Sequence, residues 1–200
     1  MDKTSMRRLL ESVAQGTTGV DEAILALKKE PFEDLGFARP DHHRALRQGI
    51  AEVIYGAGKT PEQIRDIAAS LLAGGQRTVL VTRMSAEAAA CAEASLPLTY
   101  HPEARIGIFG EMPVPDVAGN IVVATGGTSD IPVAEEAALT AEALGNHVVR
   151  LYDVGVSGLH RLLSHMDTIM TARVVVAIAG MEGALASVVG GLADCPVIGV

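Results

Sequence analysis

Ser129, Asp130, Asp153, Ser157, His160 and Glu182 are the side chains whose types and spacing best suit chemistry on a small molecule. They fall in three Gly-rich segments: Gly126-Gly127-Thr128-Ser129-Asp130, Asp153-Val-Gly-Val-Ser157-Gly-Leu-His160 and Gly180-Met181-Glu182-Gly183. Each segment follows an apolar run, at 121–125, 147–152 and 173–178. Apolar runs of this length alternating with helical segments predict buried parallel strands. A parallel sheet binds ligands beyond the carboxyl ends of its strands, so all six side chains are expected around one crevice.

Each segment also has a plainer reading. Gly126 and Gly127 would let a ligand approach the backbone, and the N–H groups after them could meet an anion. The pattern is neither a P-loop nor GxGxxG. The carboxylate of Asp130, with Glu135 and Glu136 a turn later, suits a ribose hydroxyl better than a phosphate. The plain alternative is that Ser129 or Asp130 caps the helix, with Pro132 in its first turn. Ser157 is expected to cap the following helix and to place His160 one turn in. There an imidazole near the positive helix end would tend to be neutral. The alternative is a surface histidine. Glu182 stands in a very apolar stretch, where desolvation would raise its pKa toward that of a general base. The alternative is a glutamate in a helix's first turn, favoured by the dipole.

The elements that must position these groups divide the chain in two. Residues 1–115 form an N-terminal region, helical to about residue 74, with short strands and a helix after it. The expected helices cover Ser5–Gln15, Val20–Lys29 (Asp21 and Glu22 at its start, Lys28 and Lys29 at its end, Pro31 stopping it) and Pro61–Ala73, opened by Thr60 as N-cap. Glu52–Tyr55, Thr78–Val81 and Arg105–Phe109 read as strands, and Ser85–Ala94 as a capped helix. Met112–Gly119 is the linker. Residues 119–200 alternate strand and helix: strands 121–125, 147–152, 173–178 and 196–200, helices 131–144, 157–165 and 181–192. The fold class is α/β: a three-layer parallel-sheet domain of the flavodoxin-like kind, preceded by a smaller, mostly helical or α+β region. The chain reads as truncated within its last sheet.

Composition excludes several functions. The 200 residues carry a net charge of −8, which opposes binding to nucleic acid. No apolar run is long and Gly-free enough to span a bilayer, and the N-terminus has no signal-peptide core, so a cytoplasmic protein without membrane contact is expected. Cys91 and Cys195 are far apart and suggest small buried hydrophobes rather than a disulfide or a nucleophile. The polar stretch Asp41-His42-His43-Arg44, with Arg47, Glu52 and Lys59, lacks a metal-ligand spacing, because tandem histidines diverge; no metal site is expected.

On these segments the chain resembles the LarB family of nickel-pincer nucleotide biosynthesis. Gly127–Glu136, Tyr152–Arg161 and Ala179–Leu185 carry the resemblance, together with Asp41–Arg44 and Glu52-Val-Ile-Tyr-Gly-Ala-Gly-Lys-Thr60. It covers almost the whole chain. The C-terminal half is also similar to the PurE-type aminoimidazole ribonucleotide carboxylases and mutases, whose site uses a Ser-Asp after the first strand and a Ser-x-His after the second.

The resemblance implies carboxylation of the pyridinium ring of nicotinic acid adenine dinucleotide, with CO2 or bicarbonate as co-substrate, and hydrolysis of its phosphoanhydride. The products would be pyridinium-3,5-biscarboxylic acid mononucleotide and AMP. A pyridinium carbon must first accept a nucleophile to become enamine-like; it then attacks CO2, a base removes the ring proton, and the nucleophile leaves. In this frame Glu182 is the base, and Ser129 and His160 orient CO2 or the new carboxylate. Asp130 holds the ribose, Gly126, Gly127 and Thr128 the nucleotide, and Asp153, Ser157, Gly180 and Met181 complete the binding site. No tightly bound cofactor is implied, although Mg2+ is compatible with the hydrolysis. A homo-oligomer, from dimer to octamer, is implied as well. The family's nucleophilic Cys falls downstream of Val200 and neither Cys91 nor Cys195 matches it, so the 200-residue form is expected to lack ring carboxylation. Ala51 replaces an expected Pro. The alternatives are a purine-type aminoimidazole ribonucleotide carboxylase or mutase, and an inactive nucleotide-binding form.

Overall fold

The computed structural model describes residues 3–29 and 33–200 and contains two four-stranded sheets with one helix between them. Pro31, and the side chains of Lys28, Lys29 and Arg47, lie outside the described residues.

The chain opens with α1 (Lys3–Ala14), α2 (Val20–Lys29) and the short α3 (Arg44–Gln48). Asp21 and Glu22 occupy the first turn of α2, where the helix dipole favours them. The first sheet is built from β1 (Val53–Tyr55), β2 (Thr78–Thr82), β3 (Leu98–His101) and β4 (Ile106–Gly110), in the order β1-β2-β4-β3. β1 and β2 are parallel, joined through α4 (Pro61–Ala73). α4 opens where expected: Thr60 accepts from the Gln63 N–H, and the Gln63 side chain accepts from the Thr60 N–H, a closed capping box. α5 (Ala86–Glu93) is capped by Ser85. β4 returns antiparallel between β2 and β3, so this sheet is mixed. β3 is the strand that sequence patterning missed. It is four residues long and lies at an edge, with β4 as its one strand neighbour.

The second sheet has β5 (Asn120–Thr125), β6 (His147–Leu151), β7 (Ala172–Ile178) and β8 (Val197–Gly199) in the order β6-β5-β7-β8, all parallel. This is the expected flavodoxin-like arrangement. The central β5 is covered on both faces. Val122 and Ala124 pack with Leu162, Ile169, Leu185 and Val189 from α7 (Leu159–Leu163), α8 (Met166–Met170) and α9 (Ala184–Leu192). Val123 packs the other way, with Ala134 and Ala138 of α6 (Ile131–Ala143). Two boundaries differ from expectation. The helix expected at 157–165 is preceded by a 3-10 turn at Val156–Gly158 and breaks at Ser164–His165, giving α7 and α8. The helix expected from residue 181 starts at Ala184, because Met181 and Gly183 take positive φ values of 52° and 65°.

α6 belongs to both halves. Its Leu139 and Ala143 pack against Val53, Leu80, Ile106 and Ile108 on the second face of the first sheet, while Ala134 and Ala138 face β5 and β7. The first sheet's other face is covered by α4 and α5 through Ile64, Ile67, Leu71, Ala88 and Ala92. The layers therefore run α4–α5, first sheet, α6, second sheet, α7–α9. Alanine on α6 allows the second sheet's close approach, and Leu139 fills the space on the opposite side.

Polar contacts fix α6 along its flanks. Arg150 on β6 bonds Glu135 (Nε to Oε1, 3.0 Å) and Glu142 (Nη2 to Oε2, 3.0 Å), and the Tyr152 hydroxyl donates to Glu135 at 2.5 Å. Burial pushes the Glu135 carboxyl up, but the bonds from Tyr152 and Arg150 outweigh it and hold the group below its ordinary range. Burial, with the bond to Glu135, pushes the Tyr152 phenol up, so it remains a donor. Arg83, just after β2, donates to Glu136 at 3.1 Å.

Candidate active site

The crevice forms where β5, β6 and β7 end. Thr125, the last residue of β5, is fully buried, and its hydroxyl accepts from the Asp153 N–H at 2.9 Å. Its carbonyl accepts from the Val154 N–H at 2.9 Å, and the Gly126 N–H donates to the Ile178 carbonyl at 2.8 Å. These bonds lace three loops together across the strand ends. Gly155 is part of the same seam: a Cβ there would lie 2.3 Å from the Gly126 carbonyl oxygen.

Beyond the seam is a cavity of about 200 Å3. Ser129, Asp130, Ser157 and Glu182 bring its polar side chains; Gly126, Gly127, Gly155 and Gly180 line it, and Val156, Ala179 and Leu185 form apolar wall. Met181, fully exposed, and Ala184 also line it. The crevice thus unites most of the residues expected from the sequence. Thr128, Asp153 and His160 are outside this lining. Thr128 is exposed in the 3-10 turn Thr128–Asp130. Asp153, at φ 58°, turns its carboxylate to an ion pair with Arg161. His160 is exposed on α7, one residue after its start.

Four expectations about local chemistry are corrected. First, neither Ser129 nor Asp130 makes a side-chain cap on α6. Asp130 instead reaches back, and its Oδ2 accepts from the Gly127 N–H at 2.9 Å, closing the loop on itself. Second, the Gly126 and Gly127 amides are therefore both spent, one on Ile178 and one on Asp130, and neither is open to a nucleotide. Third, Glu182 is exposed, not desolvated, and sits in the turn closed by the Gly183 N–H to the Gly180 carbonyl at 3.0 Å, before the helix rather than in its first turn. Ser157 likewise does not cap α7; it lies in the 3-10 turn Val156–Gly158.

What remains is a workable constellation. The second Asp130 oxygen lies 3.8 Å from the point where a Cβ on Gly180 would be, so the carboxylate reaches toward the opposite wall with one acceptor directed away from the Gly127 bond. Ser129 and Ser157 present hydroxyls, and Glu182 supplies a carboxylate at the rim. This set can hold a hydroxylated ring ligand and accept a proton from it.

Comparison with known proteins decides the family. Residues 32–111 match the LarB/PurE-like N-terminal domain, and residues 120–200 match the AIR carboxylase domain. The two occur in tandem on one chain. The chain belongs to the LarB family. An uncharacterized protein of Methanocaldococcus jannaschii is 32% identical over 205 residues, covering 98% of this chain and 80% of that protein.

Within this LarB-family chain, the AIR carboxylase match begins at β5 and contains the whole crevice. Sequence reasoning missed Thr125, Gly155 and Arg161 as site-shaping residues. Thr125 ends an apolar run, where a buried hydroxyl at a strand terminus is a readable signal. Gly155 and Arg161 depend on contacts between loops. The two cysteines are half-buried: Cys91 lies on α5 near Arg65, Cys195 precedes β8, and neither lines the crevice. His42 and His43 diverge, His42 toward Glu33 and Ser70, His43 to the Leu27 carbonyl. Among the described residues no group of three His, Cys, Asp or Glu could hold a metal ion, and no helix is long and apolar enough to cross a membrane.

Proposed function

We infer that this LarB-family chain handles nicotinic acid adenine dinucleotide. The reaction inferred is carboxylation of the pyridinium ring with CO2 and cleavage of the phosphoanhydride, giving pyridinium-3,5-biscarboxylic acid mononucleotide and AMP, the ring step requiring a nucleophile that neither Cys91 nor Cys195 provides. The observation that carries the reading is the joint occurrence of a LarB-type N-terminal domain and a carboxylase-type crevice lined by Ser129, Asp130, Ser157 and Glu182.

The chemistry assigns the roles. Glu182, at the crevice rim, removes the ring proton once a nucleophile has added to the ring and the enamine carbon has attacked CO2. The proton goes to the carboxylate, the ring electrons re-form the pyridinium, and the nucleophile departs. Ser129 donates to an oxygen of CO2 or of the new carboxylate. His160 serves the same group from α7 when the substrate bridges the rim. Asp130 accepts from a ribose hydroxyl with the oxygen that does not hold Gly127. Ser157, Gly180 and Met181 line the ligand, Thr128 borders it, and Asp153 fixes Arg161 beside it. Hydrolysis of the phosphoanhydride would use Mg2+ as a dissociable helper rather than a resident metal. The protein is proposed to act in the cytoplasm as a homo-oligomer, between dimer and octamer.

The second reading is a purine-type aminoimidazole ribonucleotide carboxylase, favoured by the AIR carboxylase match alone. Calorimetric titration with the dinucleotide and with aminoimidazole ribonucleotide separates the two. Binding of the dinucleotide supports the first reading; binding of the ribonucleotide alone replaces it by the second.

A further inference from the structure

The crevice is too small for a dinucleotide. Its volume is about 200 Å3, against roughly 300–1,000 Å3 for the pockets that bury a drug-sized ligand, and a dinucleotide is larger still. If the ring half occupies it, the adenylate half lies outside, and the fold points to where.

The carboxyl ends of β1 and β2 open on the same end of the molecule as the crevice. Two contacts fix this. Arg83, one residue past β2, meets Glu136 only six residues after Asp130, or about 9 Å along α6. Thr78, at the amino end of β2, instead shares a cavity with Ala143–Asn146 at the far end of α6. At the near end three cations gather. The Gly56 N–H donates to the Thr82 carbonyl at 2.7 Å, and the Lys59 N–H to the Gly56 carbonyl at 3.1 Å, which folds the Gly56–Lys59 turn over the end of β2. The Met84 N–H donates to the Arg105 carbonyl at 2.7 Å, which brings Arg105 to the other side of Arg83. Arg83 and Arg105 both hold left-handed backbone, with φ of 55° and 53°.

All three side chains are exposed. In a chain of net charge −8, Lys59 and Arg105 have no ion-pair partner among the described residues, and Arg83 pairs with Glu136. Glu87 and Glu103 stand at the same end of the sheet without pairing to them. Between this ledge and the crevice, on the α6 flank one turn before Glu136, lies the exposed Val133.

We propose that Lys59, Arg83 and Arg105 form a phosphate-binding ledge that takes the adenylate half of the dinucleotide, so that the N-terminal domain selects a dinucleotide over a mononucleotide. The ligand class rests on the function inferred above; the phosphate site itself rests on the cation geometry. Arg83 offers paired N–H donors to phosphate oxygens in place of the Glu136 carboxylate, and Lys59 and Arg105 add charge on either side.

AMP and inorganic pyrophosphate, titrated calorimetrically into the whole chain, test the ledge without the ring site. Wild type is expected to bind both, and Arg83→Gln combined with Lys59→Ala to weaken binding about tenfold or more, the scale of one lost charge-assisted hydrogen bond. Arg77→Ala, which removes a cation from the far end, should change nothing. Circular dichroism and thermal melts establish that each variant is folded. Absence of AMP and pyrophosphate binding to wild type, or equal binding by the ledge variant, overturns the proposal. Parallel titration with nicotinic acid mononucleotide reports on the ring site: AMP bound and mononucleotide not bound would leave the ledge standing while the inferred reaction fails.

Discussion

Gly155 lies against Gly126 so closely that a methyl group at residue 155 would sit 2.3 Å from the Gly126 carbonyl oxygen. Backbone, not a movable side chain, is the obstacle. Gly155→Ala is expected to separate the β5 and β6 loops and to cost about 3 kcal/mol, at the upper end of overpacking effects. Gly127→Ala is the matched control: its nearest neighbours would be 3.9 and 4.0 Å away, so the melting temperature should hardly move. Thermal melts of the two variants provide the comparison.

The Thr125 hydroxyl bonds the Asp153 N–H at 2.9 Å from a fully buried position. Thr125→Val keeps the shape and leaves that N–H unpaired, an expected loss of ~1–2 kcal/mol. Urea unfolding measures it. Binding of any crevice ligand should weaken in parallel, because the same bond sets the height of the Asp153–Gly155 loop.

Leu139 joins α6 to the first sheet. Leu139→Ala should cost ~2–5 kcal/mol by leaving a cavity among Leu80, Ile106 and Ile108. Because α6 is packed by both sheets, urea unfolding should remain one transition in wild type. Two separated transitions in wild type would contradict the shared-helix description.

Glu135 gives the pH dependence. Its carboxyl is held below the ordinary 4.5, so its contribution to stability is complete above that pH and is lost as pH falls through the depressed value. Tyr152→Phe removes the largest of the interactions that cause that depression, leaving those of Arg150 and His101. The variant should lose on the order of 1 kcal/mol at neutral pH. Its Glu135 carboxyl should also titrate closer to 4.5, as followed by NMR.

Much of this was legible in the sequence, for a physical reason. Buried parallel strands such as 121–125 and 173–178 are continuous apolar runs, and Thr60 and Ser85 announce their helices through side chains that reach only three residues. Those signals are local. The misses are tertiary. β3 is specified by pairing with β4. The 181–183 turn depends on left-handed backbone at Met181, which residue type does not favour. The direction of the Asp130 carboxylate, back to Gly127 rather than forward along α6, cannot be read from a Ser-Asp pair before a helix. The exposure of Glu182 in an apolar stretch has the same origin: Ile178 and Leu185 on either side are buried while the turn between them lifts both Met181 and Glu182 out.

The most direct test of the central claim uses the protein at its full gene-encoded length, incubated with nicotinic acid adenine dinucleotide, bicarbonate and Mg2+. AMP release and the mass of the pyridinium product are followed together by mass spectrometry. The account predicts AMP and a mononucleotide carrying one added carboxylate, with Glu182→Gln abolishing the carboxylation. An unchanged dinucleotide, or carboxylation that survives Glu182→Gln, would contradict it.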